Sequence, residues 1–559
     1  MKPLSHFSFH AVLLSVLLLL LLSTGCRDEF PDEDRPLVNL VEDGCYDSDQ
    51  VVETTEQESE GSFYFQLPDN IPNEFSLAVV HNMPSGLKGK IVQLGTNGSI
   101  DGTLQDFSVQ DVAEIISISL PEGENRVLAF EVEGSLNTPY EPSVAVVAIR
   151  DYEEGGSCGT NKSQRLVISR PKGNAQEAAD ESGLPVVQAC QCSNNQLVAV
   201  EVPYGIDVET LRPKTRERVT QALTDSLIGV DFDFEIDIPD FIEVISDTDQ
   251  EQLDFSIHDD GSSCIGYDGS SAPSVDPNQQ AFTVAFVDSG YDLANHEGSV
   301  ADHRYRVTPP PCFTNSISEY GYDLINDASD PQDEVGHGTD VASAFLGKLD
   351  VSVPVSVLHL KFFGKSGASY FDALCASYAA SKTGAKIINW SWGFRADAMP
   401  KSLEHLLGYL KANDVIAVAA AGNYRESLDS VPLYPASASS QFDNLITVGS
   451  YVYPNVTDDP PTPQRASFSN YSNSIADVAA YASVSTLRYN FPGSYNLVAG
   501  TSISAPLVSQ KLTEIWATNP NRKYPEVLLE FNNALSTQGT ALINDVAGGK
   551  YLPNGCSYE

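Results

Sequence analysis

Positive charge is scarce in this chain of 559 residues. Lysine and arginine number 32 against 76 aspartates and glutamates, a formal net charge of −44. Phosphate backbones are gripped through clustered Lys and Arg, so nucleic-acid binding is excluded as a function class. Long apolar runs are equally scarce. Ala11 to Leu22 is the one sustained run, short for a stable membrane span, and no second candidate follows. No internal repeat is visible. Cys190 and Cys192 form a C-x-C, but no further His or Cys pair stands at zinc-ligand distance in sequence, which argues against a metal site there. What remains is an ordinary 42% hydrophobic content. That supports a sizeable core in a chain long enough for about two to four domains.

The N-terminus reads as a targeting segment. Lys2 precedes the apolar run, and Leu22-Ser23-Thr24-Gly25-Cys26 closes it. That closing segment resembles a bacterial lipobox, with Ser23 where Leu is usual. The resemblance implies a signal peptide over 1–25, acylation of Cys26, and display at the outer membrane or cell surface. A cleaved and secreted protein is the alternative. The nine cysteines fit an oxidising compartment, since acylation of Cys26 leaves an even eight. Cys375 sits in an apolar helical pattern and reads as a buried free thiol.

Composition divides the rest. Residues 26–60 are acidic and poor in aromatics, as a flexible tether would be. Residues 61–172 carry alternating runs such as Phe63–Leu67, Phe75–Val80, Val127–Val132 and Val144–Ile149, punctuated by Gly, Pro, Asn and Asp. They predict an all-β sandwich. Residues 186–258 predict a small α+β unit, with strands over 196–202 and 230–236 around a helix over 208–227. Residues 259–280 are rich in Gly, Ser, Asp and Pro and read as a linker. Beyond them, over 281–545, strands and helices alternate, which predicts an α/β fold: a parallel sheet with helices on both faces.

Four glycine-flanked turns punctuate that last region: Val287-Asp288-Ser289-Gly290, Gly336-His337-Gly338-Thr339, Ala420-Ala421-Gly422-Asn423 and Gly500-Thr501-Ser502-Ile503. Each alone is an ordinary turn. Together they deliver an acid, a base, an amide donor and a hydroxyl, with Ser502 opening a helix whose free backbone N–H groups suit an oxyanion. Asp, His, Ser is one of the known orders of a catalytic triad.

These motifs resemble the subtilisin-like serine proteases, the subtilases, over about Gln280 to Asn519. The stretches Tyr322–Ala342, Gly384–Gly393, Tyr434–Gly449 and Phe468–Ala480 extend the likeness. The resemblance implies a serine endopeptidase with Ser502 as nucleophile, His337 as general base and Asp288 orienting it. It assigns Asn423 and the Ser502 N–H to the oxyanion. It also implies that substrate backbone pairs with Ser366, Gly367 and Ala368 on one side and Ser391, Trp392 and Gly393 on the other. Protein or peptide segments are then the partners, nucleic acid is not, and membrane contact comes only through the lipid anchor.

No metal is implied as catalytic, and no cofactor is certain. Calcium, which many subtilases bind, would find loop carboxylates in Asp327, Asp330 and Asp333, although the acidity reads first as solubility. The 186–258 unit invites comparison with the family's inhibitory propeptide, with a mature start expected near 259–280. Asp340, Tyr424, Ile503, Tyr481 and Ala482 depart from the family pattern without removing a catalytic group. Activity should fall below about pH 6–7, the ordinary range for imidazole protonation. The alternative function is a surface adhesion or binding lipoprotein with a weakly active or inactive protease fold.

Overall fold

The computed structural model describes residues 35–553 except 42–47, 56–60, 95–99, 121–125, 134–135, 137–140, 151–164, 235, 237–241, 244–281, 296–311, 313–319, 348, 350–352, 354, 366, 454–461, 488–489, 491–494 and 538–540. Cys26 with its signal segment, the linker 259–280 and Ser366 lie outside the described residues. Two compact units emerge: Met1–Gly159 with Glu181–Gly183 and Pro203–Thr224, and Thr160–Asp180 with Leu184–Val202 and Asp225–Glu559.

The first unit is a β-sandwich. One sheet runs Leu40–Val41, Ser143–Ile149, Glu74–His81, Ala113–Ser119, with Val52–Thr55 also on Ser143–Ile149. The other runs Ser62–Gln66, Val127–Glu133, Lys88–Leu94, Ile100–Ser108. Period-two alternation turns Phe63, Phe65, Leu128 and Phe130 of one sheet and Leu77, Val79, Val144 and Val146 of the other into one core. The helix Val208–Ala222 belongs to this unit as well. Its buried Lys214 bonds to Glu53 at 2.6 Å and to Ser143 at 2.7 Å.

The second unit begins with a small antiparallel sheet. Its elements are β1 (Arg165–Ser169), α1 (Ala175–Ser182), β2 (Val186–Ala189), β3 (Leu197–Glu201) and β4 (Gly229–Phe232); the helix α2 (Val208–Ala222), expected from sequence in the 186–258 unit, intervenes in the chain between β3 and β4 but belongs to the first unit. The strand order is β2-β3-β1-β4. Strand β1 lies ahead of residue 186, so the sheet recruits a segment that composition alone assigned to the β-domain.

The larger part follows as β5 (Phe282–Asp288), α3 (His337–Leu346), β6 (Val355–Lys361), α4 (Tyr370–Lys382), β7 (Ala385–Trp390), α5 (Lys401–Ala412), β8 (Ile416–Ala420), β9 (Leu445–Val452), β10 (Val478–Tyr481), β11 (Tyr495–Ala499) and α6 (Thr501–Ala517). Strands β6-β5-β7-β8-β9-β10 form a parallel sheet in that spatial order. This is the expected α/β architecture. Both faces are covered, so the strands are apolar at nearly every position. Ala285 and Val287 of β5 face α4 and α5 with Phe371, Leu374 and Leu406. Val284 and Phe286 face α3 and α6 with Phe345, Val508 and Trp516. Strand order reverses between β5 and its neighbours β6 and β7, and the carboxyl ends at such a switch point form a crevice.

The small sheet shares the α4–α5 core. Val167 of β1 and Leu197 and Ala199 of β3 pack into the same cluster as Phe371 and Leu403. Two bridges reinforce the contact: Cys190–Cys375, with Cα atoms 5.5 Å apart, and Cys192–Cys312, at 4.9 Å. Cys375 is therefore not the free thiol that its apolar surroundings suggested. A helical hydrophobic pattern shows burial but cannot reveal a partner 185 residues away. Gly229 opens β4 where the sheet touches α5. A Cβ there would lie 2.6 Å from the Lys401 Cβ.

Candidate active site

Strand β5 ends at Asp288, buried at the crevice. Its Oδ1 accepts the Ser289 N–H at 2.7 Å and faces His337 Nδ1 at 2.7 Å. A carboxylate can only accept, so Nδ1 carries the proton and the Nε2 lone pair is available as a base. The two turns meet closely because Gly338 has no side chain: a Cβ there would lie 2.3 Å from the Gly290 carbonyl oxygen.

Asp333 organises the start of α3. Its Oδ1 accepts from Ser289 Oγ and from the Val335 and Gly336 N–H groups. Its Oδ2 accepts from the Thr339 N–H and hydroxyl. Asp333 thus ties the turn before α3 to the Thr339 N–H, a free donor of the helix's first turn. Among the described residues, no group of three or more His, Cys, Asp or Glu is placed to hold a metal.

Burial alone would depress the His337 pKa. Asp288, followed by Asp340 and Asp333, outweighs it and holds the pKa above the ordinary imidazole value. Asp340, one turn along α3, is itself buried and accepts the Thr486 hydroxyl at 2.5 Å.

Ser502 is the second residue of α6, after Gly500. Helices α3 and α6 pack against each other, which brings the His337 and Ser502 ends to one side of the sheet. Ser502 Oγ donates to the Ser391 carbonyl oxygen at 3.2 Å, and Ser391 Oγ donates to the Ser502 carbonyl oxygen at 2.9 Å. Asn423, after β8, faces the same turn. Its Oδ1 accepts from the Thr501 N–H and hydroxyl, both at 2.9 Å. A backbone N–H can only donate, so the amide orientation is fixed and Nδ2 points away. That Nδ2 is buried and has no hydrogen-bond partner.

Segments that follow β4 pair with the backbone on two sides of this region. Beyond β4, the Tyr370 N–H donates to the Phe234 carbonyl at 2.9 Å, and the Ile236 N–H donates to the Ala368 carbonyl at 3.1 Å. The Phe234 ring stacks on Phe394 at 4.9 Å and meets Tyr370 edge-on at 5.6 Å. Farther along, the strand Ile242–Glu243 pairs antiparallel with Val498–Ala499, just before the Ser502 turn. Asp231 and Asp233, on one face by period-two alternation, cap the two helices that line this edge. Asp233 accepts the Phe371 N–H of α4 at 2.9 Å, and Asp231 accepts the Lys401 and Ser402 N–H groups of α5 at 3.1 and 2.7 Å.

Residues 279–540 match the family model described as the subtilase family. The chain carries a subtilase domain. Relatives of this domain include subtilisin-like protease 2 of Plasmodium falciparum (isolate 3D7), 30% identical over 241 residues, 40% of this chain and 16% of that protein. Thermitase of Thermoactinomyces vulgaris is 31% identical over 199 residues, 34% of this chain and 64% of its own length. This chain thus spans less than two thirds of either relative. Among solved structures, fervidolysin of Fervidobacterium pennivorans, described as a keratinolytic enzyme related to subtilisin, gives a TM-score of 0.49. It is 18% identical and covers 73% of this chain and 63% of that one.

Within the subtilase domain, Asp288 and His337 are joined directly, and Asn423 and Ser502 share the Thr501 turn. Ala368, joined with Gly367 in one short strand, receives Ile236; Ser391 bonds to Ser502, and Trp392 is buried against Phe362 and Trp390. Gly393 follows them, packed close to Leu433 and Tyr434. Sequence reasoning passed over Thr501, Asp231, Asp233 and Phe234. The signal for the last three was the acid–aromatic alternation Val230-Asp231-Phe232-Asp233-Phe234, read as one more strand.

Proposed function

We propose that this protein is a serine endopeptidase. Ser502 attacks the peptide carbonyl, His337 takes its proton and later returns it to the leaving amine, and Asp288 keeps the imidazole in the productive tautomer and stabilises its cation. The Asn423 Nδ2 and the Ser502 N–H receive the negative oxygen. The observation that carries this reading is Asn423: a half-buried amide, clamped by its oxygen on Thr501 next to Ser502, whose buried Nδ2 has no hydrogen-bond partner. A donor held that way costs no reorganisation when charge develops. Labelling with a fluorophosphonate tests it, since only an activated serine reacts. The wild-type protein, freed of residues before 282, should label and Ser502→Ala should not. An unlabelled wild type would leave the binding-lipoprotein reading.

The sheet β1–β4 acts on this reading as a built-in inhibitor. Phe234 and Ile236 extend the Ala368 edge as a substrate would, by main-chain pairing that tolerates many sequences. Phe234→Ala should weaken that hold. Its expected sign is faster turnover of a small peptide by the uncut chain, and an unchanged or slower rate would count against inhibition through this contact.

A further inference from the structure

In an unbridged inhibitory unit, one chain cut is enough for release. Here it is not. Cys190 and Cys192 flank one short turn of the small sheet, between β2 and β3, and each is bonded to a different part of the subtilase domain: Cys375 inside α4, and Cys312 between β5 and α3. A scission anywhere between β4 and β5 breaks one connection and leaves these two. We propose that the β1–β4 unit stays covalently attached after the chain is cut, and that reduction of both bridges by a dithiol, rather than proteolysis alone, opens the cleft. This rests on the endopeptidase reading only for its activity readout.

The tether matters because of concentration. Linking an inhibitor to its target raises its effective concentration to about 1 mM. A contact with an intrinsic affinity of about 1 µM would then leave the cleft open about one part in a thousand. Once both bridges are reduced in a dilute solution, the same contact dissociates. Each reduction is a thiol–disulfide exchange. A thiolate of the dithiol attacks one sulfur, the other cysteine leaves as a thiolate and is protonated, and the second thiol of the reagent closes onto the first. The bridge gains two electrons and two protons, and the reagent departs as a cyclic disulfide. Cys190 and Cys192 are each 1% exposed, and Cys312 is half-buried. Attack therefore begins on the Cys192–Cys312 bridge, at the Cys312 sulfur.

The test uses the full chain with the recognition sequence of a site-specific endoprotease placed within 259–280. In the Ser502→Ala background, the cut protein should run as one band on a denaturing gel without reductant and as two bands with dithiothreitol. Two bands without reductant would overturn the proposal. In the Ser502 background, hydrolysis of a chromogenic peptide by the cut, oxidised protein at about 10 nM should rise at least tenfold on reduction. Because reduction could disturb the catalytic domain itself, a Cys190→Ser/Cys192→Ser chain is cut in parallel and should show the high rate without reductant. Equal rates in the oxidised protein and the serine variant would overturn the proposal. Absence of fluorophosphonate labelling in every arm would instead refute the endopeptidase reading, and the gel would still decide the tether.

Discussion

Asn423 allows the oxyanion argument to be separated from the folding argument. The side chain does two things: Oδ1 holds the Thr501 N–H and hydroxyl, and Nδ2 has no partner. Asn423→Ala removes both. It leaves two donors of the Thr501 turn unsatisfied, at about 1–3 kcal/mol each if they stay dry, and it deletes the donor proposed for the oxyanion. Asn423→Asp keeps the acceptor for the Thr501 donors, deletes the amide donor and adds a negative charge at the buried Nδ2 position, so its folding is checked by a thermal melt before its kinetics are read. Loss of one such donor in subtilisin-type hydrolases costs about 10²–10³ in turnover, roughly 3–4 kcal/mol. The aspartate should exceed that, because its charge opposes the negative oxygen. Active sites are counted first with a fluorophosphonate, and kcat and KM are then measured on a chromogenic peptide with the inhibitory unit removed. KM should change little in both variants, since the donor serves the transition state. An Asn423→Asp enzyme with kcat within threefold of wild type would refute the reasoning.

Three further outcomes follow from other residues. His337 must be neutral to act as a base and its pKa is raised, so the acid limb of the kcat/KM profile should lie above the ordinary imidazole value of about 6.5. Asp340→Asn should move that limb down, and a limb that does not move would remove Asp340 from the account. The same shift makes the protonated form the one that stabilises the fold: the contribution is complete below about pH 6.5 and fades as pH rises through the folded value. Burial pushes the Asp477 carboxyl up to about 6. Its folded pKa exceeds its unfolded value, so a stability cost develops between about pH 4 and 6 and persists above. Asp477→Asn should therefore raise Tm at pH 8 and not at pH 4, as thermal melts would show. Cys26→Ala should leave an unprocessed precursor in cell fractions; processing and release identical to wild type would exclude the lipid anchor.

The legible part of this protein was the part whose signal is local. A strand buried on both faces is apolar nearly throughout, and β5, β6, β7 and β8 could be bounded within a residue or two because their runs are short, rich in β-branched residues and ended by turn residues. Catalytic turns are legible for a related reason: a side chain aimed at a crevice needs a sharp turn, and glycine marks it. The contacts made at a distance were opaque. Cys375 looks the same in sequence whether it is a buried thiol or one end of a bridge to Cys190. Asp231 and Asp233 were visible as the polar face of a short strand, and a polar face usually means solvent. Their partners include the N-terminal N–H groups of α4 and α5, about 140 and 170 residues away along the chain, besides Arg165 for Asp233 and the Ser402 hydroxyl for Asp231. An acidic face that meets helix N-termini is a recognition surface, and it differs from a solvated one only in what the fold brings opposite. The same distinction governs Phe234: its alternation with acids made it a strand residue, but the fold sets its ring on Phe394 and Tyr370. Sequence periodicity fixes the direction in which a side chain leaves the backbone, and tertiary packing alone decides what it meets there.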